Sequence, residues 1–579
     1  MRALWILGLT AAVSCVPAPP ASVPGDHLVA GVDAAMPAAD AAPAMDAMPA
    51  MDAAAAMDAA AAMDAAAAMD AMPAMDAAAA MDAAPAMDAM PAMDAAPAMD
   101  AMPAMDAAPA MDAMPATDAM PATDATASPD ATASPDATAS PDATASPDAT
   151  ASPDATASPD AGTSTAAARF PLAVSGSHLV DASGAPFLIH GEAAWSLLVQ
   201  LTRAETETYL DDRARRGFNT LLVNLIEHMF ADHAPLDVEQ NAPFLSPGDF
   251  SQPNPAYLDR AAWVIDQARQ RGFLVLLAPA YVGYSGGAEG WFQEMSAATP
   301  ADCQIWANAI ADHLGADDNI LWVHAGDYYP PVGASGTACA LAIRDVLAAR
   351  MPTALSTAHY ARNSASTDHP DFGPSVQVNA VYTAELTYPL CLTESAASGA
   401  KPTFLIEDRY ENEGPSREAL RAQGYWADLS CTTGRVFGNS PIWRFGAGWQ
   451  GALTGDGSVD FAQQKQAFSA IPWEQLRPDT AHVFLTAGYG TSGGADYVTA
   501  SWSADHRRAA LYIPSTGAGA RSLTLDGSAL VGSPVARWFN PTTGAYQAGP
   551  ALPAQSGLVI QTPGDNGSGT NDWLLLIGL

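Results

Sequence analysis

The sequence predicts an α/β protein: a (β/α)8 barrel of the TIM type, then a small antiparallel β-sandwich, preceded by a disordered repeat region. Three observations lead there. Between Phe187 and Trp443, eight continuously apolar runs alternate for the most part with amphipathic segments, as parallel strands buried on both faces require. After Pro478 the pattern changes to period two in YVTASWS, AALYIP, SLTLDG, VARWFNP and DWLLLI, with Gly, Pro and Asn turns between, which reads as antiparallel strands. From Asp40 to Asp160 an Asp recurs every six residues, 21 times, and six residues turn an α-helix by 600°, so no apolar stripe forms.

The charge divides along the same lines. The chain of 579 residues carries 63 acidic and 24 basic side chains, a formal net charge of −39. Residues 1–160 hold −22 of it and residues 161–579 the other −17. No basic stripe exists to neutralise phosphates, which excludes nucleic acid as a partner. The opening MRALWILGLTAAVSC has the shape of a secretory signal, an apolar stretch too short to span a bilayer. Its Ala12-Val13-Ser14-Cys15 end resembles a bacterial lipobox with Ala in place of the usual Leu, which predicts lipidation at Cys15 and an exported cell-surface or outer-membrane lipoprotein; an ordinary signal peptide cleaved nearby is the alternative, and either exports the protein. Residues 16–165 follow as an acidic hexapeptide stalk, MDAAPA or MDAMPA first and ATASPD later. Recurrent Pro blocks long helices there.

The expected barrel domain covers residues 166–478 and the sandwich 479–579. A β-rich segment turns at Asp181-Ala182-Ser183-Gly184 before the first strand run, Phe187–Ile189. Thr202 and Glu205 form a capping box, and Gly217 ends that helix before FNTLLVNLI. Helices over 255–271, 301–314 and 337–350 each precede an apolar run: FLVLLAPA, NILWVHAGD and TALSTAHY. Later strand runs lie at Val376–Tyr382, Thr403–Glu407 and about Arg435–Trp443, with helices near 416–430 and 460–470. A doubly wound open sheet is the competing topology, but no glycine-rich phosphate fingerprint follows the first strand. Four cysteines beyond Cys15 suit an exported protein, and sequence proximity favours Cys303–Cys339 and Cys391–Cys431 among three possible connectivities.

Barrel enzymes carry their chemistry at the C-terminal ends of strands. Those ends supply His190, Glu192 and Trp195; Asn224, Glu227 and His228; Tyr281 and Tyr284; His324 and Asp327; His359 and Tyr360; Tyr382 and Glu385; Glu407, Tyr410 and Glu411; and Trp443. Glycoside hydrolysis needs two carboxyls across a scissile bond, and aromatic rings stack on sugar faces, so Trp195, Tyr281 and Trp443 suit a carbohydrate cleft. A metal site would need His and Asp at ligand spacing; no HxH or HExxH pair exists, so no metal and no organic cofactor are expected.

The stretches GAPFLIHGEAAWSLLVQLTRAETETYLDDRARRGFN, NILWVHAGD, KPTFLIEDRYENE and PIW resemble the apiosidase-like (β/α)8 glycoside hydrolase family. The tail ARWFNPTTGAY to NDWLLLI resembles the β-domain that follows it, named for collagen binding. The resemblance spans about 170–579. It implies that Asp327, in the strand-four GGD motif, is the general acid/base, and that Glu407, ending strand seven, is the nucleophile, or the base of an inverting enzyme. Glu192 stands where the family has a strand-one Asp, and Ala325 makes the GGD motif AGD. Glu192, Trp195, Asn224, Tyr281, His359, Tyr410 and Trp443 are the expected substrate contacts. The function expected is hydrolysis of an O-glycosidic bond in an extracellular polysaccharide or oligosaccharide. The alternative is a carbohydrate-binding adhesin on a catalytically degenerate barrel.

Overall fold

The computed structural model describes residues 169–327, 335–397 and 401–579. The Cys15 lipobox and the 16–165 stalk lie outside the described residues, as do Tyr328, Tyr329 and Pro330. Eight strands build the barrel: β1 Ile189–Ala193, β2 Thr220–Asn224, β3 Leu274–Ala278, β4 Ile320–Ala325, β5 Leu355–His359, β6 Asn379–Tyr382, β7 Thr403–Glu407 and β8 Thr432–Phe437. They pair in parallel from β1 round to β5 and from β1 through β8 and β7 to β6. No ladder joins β5 to β6. The Gln377 and Val378 N–H groups donate to the Ser356 carbonyl at 3.0 and 3.1 Å, and the short strand Ser364–Ala365 pairs antiparallel with β6. The sheet is therefore a nearly closed barrel.

Seven long helices surround it: α1 Arg203–Arg215, α2 Pro255–Gln270, α3 Pro300–Leu314, α4 Ser335–Arg350, α5 Thr387–Ala396, α6 Arg417–Ser430 and α7 Asp456–Ser469. The connection from β5 to β6 has none, because Pro370, Gly373 and Pro374 break the segment. The Thr202–Glu205 capping box forms at α1, and Gly217 past its end has φ +85°, the left-handed turn the sequence signals. The expected Val376–Tyr382 strand begins only at Asn379, since Gln377 and Val378 bond across to β5. The expected strand to Trp443 stops at Phe437. Gly438 and Pro441 end the ladder, and Trp443 sits in the 3-10 turn Ile442–Arg444.

Alternate residues face opposite ways. Ile189, Ala193, Leu222, Leu276, Val323, Ala380, Ile406 and Val436 fill the barrel interior, joined by Phe170, Leu179 and Phe187 from the preceding hairpin. Leu221, Val223, Val275, Leu277 and Trp322 face the helices. Cys303–Cys339 ties α3 to α4 and Cys391–Cys431 ties α5 to the end of α6, both as disulfides.

The C-terminal part is two antiparallel sheets. One has six strands in the order Leu476–Pro478, Thr499–Ser503, Ala509–Ile513, Trp573–Ile577, Ala536–Phe539 and Tyr546–Ala548. The other has three, Leu485–Ala487, Ser522–Leu525 and Leu558–Gln561. Leu476–Pro478 already belongs to the larger sheet, so the sandwich begins slightly before residue 479. Helix α6 lies between barrel and sandwich, and every residue from Leu420 to Ser430 is buried. Tyr425 stacks on Tyr512 at 4.7 Å, and Trp426 Nε1 donates to the Tyr497 carbonyl at 2.9 Å. Arg421 clasps Asp572 with two bonds of 2.9 Å and reaches Asp460 at 3.3 Å. Both members of the Arg421–Asp572 pair are buried. Arg421→Met strands Asp572 in that interface, so it should lower unfolding free energy by about 3–5 kcal/mol, measured as a reduced urea midpoint of the full chain.

Candidate functional site

The strand alternation sorts the expected site residues at once. On β1, Ile189 and Ala193 point inward, so His190 and Glu192 point out at the helices. Glu192 has no exposed surface. It accepts from the Tyr209 hydroxyl at 2.7 Å and from Arg213 Nη1 at 3.1 Å, and burial raises its pKa. This corrects the expected substrate contact: Glu192 bolts α1 to β1. His190 stacks on Phe461 of α7 at 3.5 Å. His324 stacks on Phe372 at 5.5 Å, and burial, helped by Arg344, drives its pKa down to about 3. Among the described residues no group of three or more His, Cys, Asp or Glu side chains is placed to hold a metal ion.

Two local irregularities bring acids to the mouth. After β4 the chain bends through three consecutive positive φ values, +65° at Ala325, +109° at Gly326 and +47° at Asp327. Left-handed backbone at Ala325 and Asp327 costs roughly 1–2 kcal/mol each. Gly326 is obligatory on a second count, because a Cβ there would meet Tyr281 Cδ2 at 2.6 Å. His359 at the end of β5 holds the bend: its carbonyl accepts from the Gly326 N–H at 3.0 Å and its Nδ1 from the Asp327 N–H at 3.1 Å. Asp327 Oδ1 is buried with no hydrogen-bond partner among the described residues. Burial raises the Asp327 pKa to about 7, with His359 opposing and Glu407 reinforcing the shift.

The second irregularity is in β7. Val381 of β6 pairs with Leu405, but Tyr382 pairs with Glu407, skipping Ile406. Such a bulge re-aims a side chain. Ile406 and Glu407 thus both face inward, whereas Asp408 turns out to Arg435 at 3.3 Å. Glu407 keeps 17% of its side chain exposed, and its Oε2 lies 3.0 Å from His359 Nε2.

The walls are aromatic and mostly closed. Trp195 is buried, donates from Nε1 to the Tyr410 hydroxyl at 3.0 Å, lies on His359 at 5.6 Å and tilts against Tyr281 at 6.0 Å. Asn224 continues the inward row of Leu222; its Nδ2 is 3.5 Å from Glu227 Oε1, and its Oδ1 is buried without a partner. Glu227 accepts from the Ser196 hydroxyl at 2.7 Å, and burial raises its pKa to about 7. Trp443 is half-buried, donates to Glu413 Oε1 at 3.2 Å and meets Phe230 edge-on at 5.4 Å. Glu411 accepts from the Gly457 N–H at 2.7 Å at the start of α7, so it serves the scaffold.

The structure adds neighbours that sequence reasoning left out. Arg362 lies 5.8 Å from the Tyr382 ring, and Asp327 and Glu407 help hold its charge against burial. Phe230 and Glu413 flank Trp443. Arg362 is three residues beyond His359 in a strand-end loop, a position that could have drawn notice; Phe230 and Glu413 carry no local signal.

Comparison with known proteins agrees with this geometry. A family model described as the apiosidase-like catalytic domain matches residues 174–475. One solved glycoside hydrolase shares 21% identity at a TM-score of 0.60, covering 71% of this chain and 97% of its own. A family 5 glycoside hydrolase from Bacteroides vulgatus ATCC 8482 shares 18% at 0.60, covering 70% and 93%. At these identities the likeness shows the fold. No curated protein matches. With more than half of its length matched by that family model, the chain belongs to the apiosidase-like catalytic-domain family.

Proposed function

We propose that this protein hydrolyses O-glycosidic bonds of an extracellular polysaccharide or oligosaccharide, with Asp327 as proton donor and Glu407 as nucleophile, or as base if the reaction inverts. One observation supports this reading above the others. Two half-buried acidic residues meet one imidazole at the barrel mouth: Asp327 through its N–H, with a buried Oδ1 and a raised pKa, and Glu407 through its carboxylate. Glycosidases separate an acid from a base in this way, by giving two carboxyls unlike surroundings. A protonated Asp327 delivers its proton to the departing glycosidic oxygen. Ionised Glu407 attacks the anomeric carbon, or draws a proton from the attacking water. Half-buried Trp443 presents an apolar face to a ring. The lipobox-like Cys15 and the acidic repeats support placing this activity outside the cell, on a tether.

Asp327→Asn and Glu407→Gln should each lower kcat by about 10²–10⁴-fold, with the fold retained by circular dichroism. Turnover is measured on a panel of plant and bacterial glycans, and undiminished turnover in either variant would falsify the assignment. Activity should also fall as pH rises through about 7, where Asp327 loses its proton, and the profile of kcat against pH reads this directly.

The same shift has a thermodynamic consequence. A carboxyl whose folded pKa is raised stabilises the fold fully below its unfolded pKa and loses that contribution as pH rises towards the folded value. Asp327→Asn, whose amide also tolerates positive φ, should therefore melt higher than wild type at pH 8 and close to it at pH 4. Equal melting temperatures at both values would contradict the raised pKa.

A further inference from the structure

We infer that His359 is a positioning residue that couples the two carboxyls, holding the bend that aims Asp327 while fixing Glu407 from its other ring nitrogen. The inference rests on the glycosidase reading and replaces the expectation that His359 contacts substrate.

The ring is closed off from a sugar by burial. It is 1% exposed. Trp195 lies on it with centroids 5.6 Å apart and planes at 27°, and Tyr382 approaches to 4.9 Å. Nδ1 is occupied by the Asp327 N–H at 3.1 Å, and Nε2 lies 3.0 Å from Glu407 Oε2. These contacts also decide the tautomer. An Nδ1 that accepts a backbone N–H carries no proton, so the neutral ring holds its proton on Nε2, facing the Glu407 carboxylate.

The backbone of the same residue completes the device. The His359 carbonyl takes the Gly326 N–H at 3.0 Å, so two successive amides of the left-handed bend end on one residue of the neighbouring strand. Without the imidazole, the Asp327 N–H loses its acceptor at a position where φ is +47°, and the bend is free to relax. Glu407, already displaced inward by the β7 bulge, loses its 3.0 Å contact with the ring Nε2. Both reacting groups move, although neither has been altered.

The test uses the full chain and whichever glycan of the panel wild type turns over fastest. His359→Ala should lower kcat by about 100-fold, the loss that a displacement near 1 Å produces, with KM within about threefold of wild type. His359→Asn, whose amide oxygen can take the Asp327 N–H, should recover part of kcat. His359→Gln, which reaches towards Glu407 but leaves the bend unsupported, should recover less. A kcat within about threefold of wild type in the Ala variant, or a KM that rises while kcat holds, overturns the positioning role.

A spectroscopic arm is independent of turnover and of whether the Ala variant folds. With ¹⁵N-labelled histidine in wild type, the His359 ring, assigned by its loss in His359→Asn, should show a proton on Nε2 and an unprotonated Nδ1. A proton on Nδ1 in the resting protein overturns the proposal. Failure of wild type to hydrolyse any glycan overturns the glycosidase reading and this role with it. Turnover that all three variants share overturns this role alone.

Discussion

Everything at the mouth of this barrel depends on the alternation of its strands. A strand buried on both faces sends successive side chains to opposite sides, so each has one row filling the barrel and one row meeting the helices. Polar groups in the outward row must find partners where water does not reach, because an unpaired buried charge costs several kcal/mol. Glu192 finds Arg213 and Tyr209 of α1, and Asp408 finds Arg435. These pairs bolt the outer layer to the sheet. The inward rows end at the open rim, where Asn224, Tyr382 and His359 are delivered without distortion.

The two candidate acids need more than alternation. Parity would turn Glu407 towards the helices with Leu405, and the one-residue bulge after Val381 reverses that. Asp327 arrives through a bend that ordinary residues avoid, with Gly326 under the Tyr281 ring. Strain and irregularity are thus found where the chemistry is expected, and β8 shares them, with positive φ at Thr432 and Gly434 and a register shift against β7. The sandwich contributes from a distance. It buries the far side of α6, and α6 with α5 backs β7 through the Cys391–Cys431 cluster with Leu405 and Ala427.

Much of this was legible in the sequence, for reasons that also explain the failures. Eight apolar runs, separated for the most part by helical segments, gave the barrel its order, and polar residues following apolar runs marked the rim. Parity was not legible, because a continuously apolar strand shows no alternation to read; Glu192 looked like a rim residue and is a buried bolt. Trp443 lies in a turn beyond the ladder, past Gly438-Asn439-Ser440-Pro441, turn residues that the strand expectation overran. The Arg421–Asp572 pair joins residues 151 positions apart, and Arg362 acquires meaning only beside Tyr382. Long-range partners have no local trace.

The net charge of −39 suggests a protein governed by its acidity, but most of that excess belongs to the first 160 residues. At the mouth, sign and number of charges matter less than the neighbours each one meets. Asp327 and Glu407 stand beside the same imidazole, and their charges repel one another. Burial is the leading influence on Asp327, ahead of every individual charge, whereas Glu407 meets the ring Nε2 at 3.0 Å. Two carboxyls of similar exposure are thus given unlike neighbours without any change in the water around them. The strained bend and the bulge are what place the two carboxyls in those unlike surroundings, and His359 touches both.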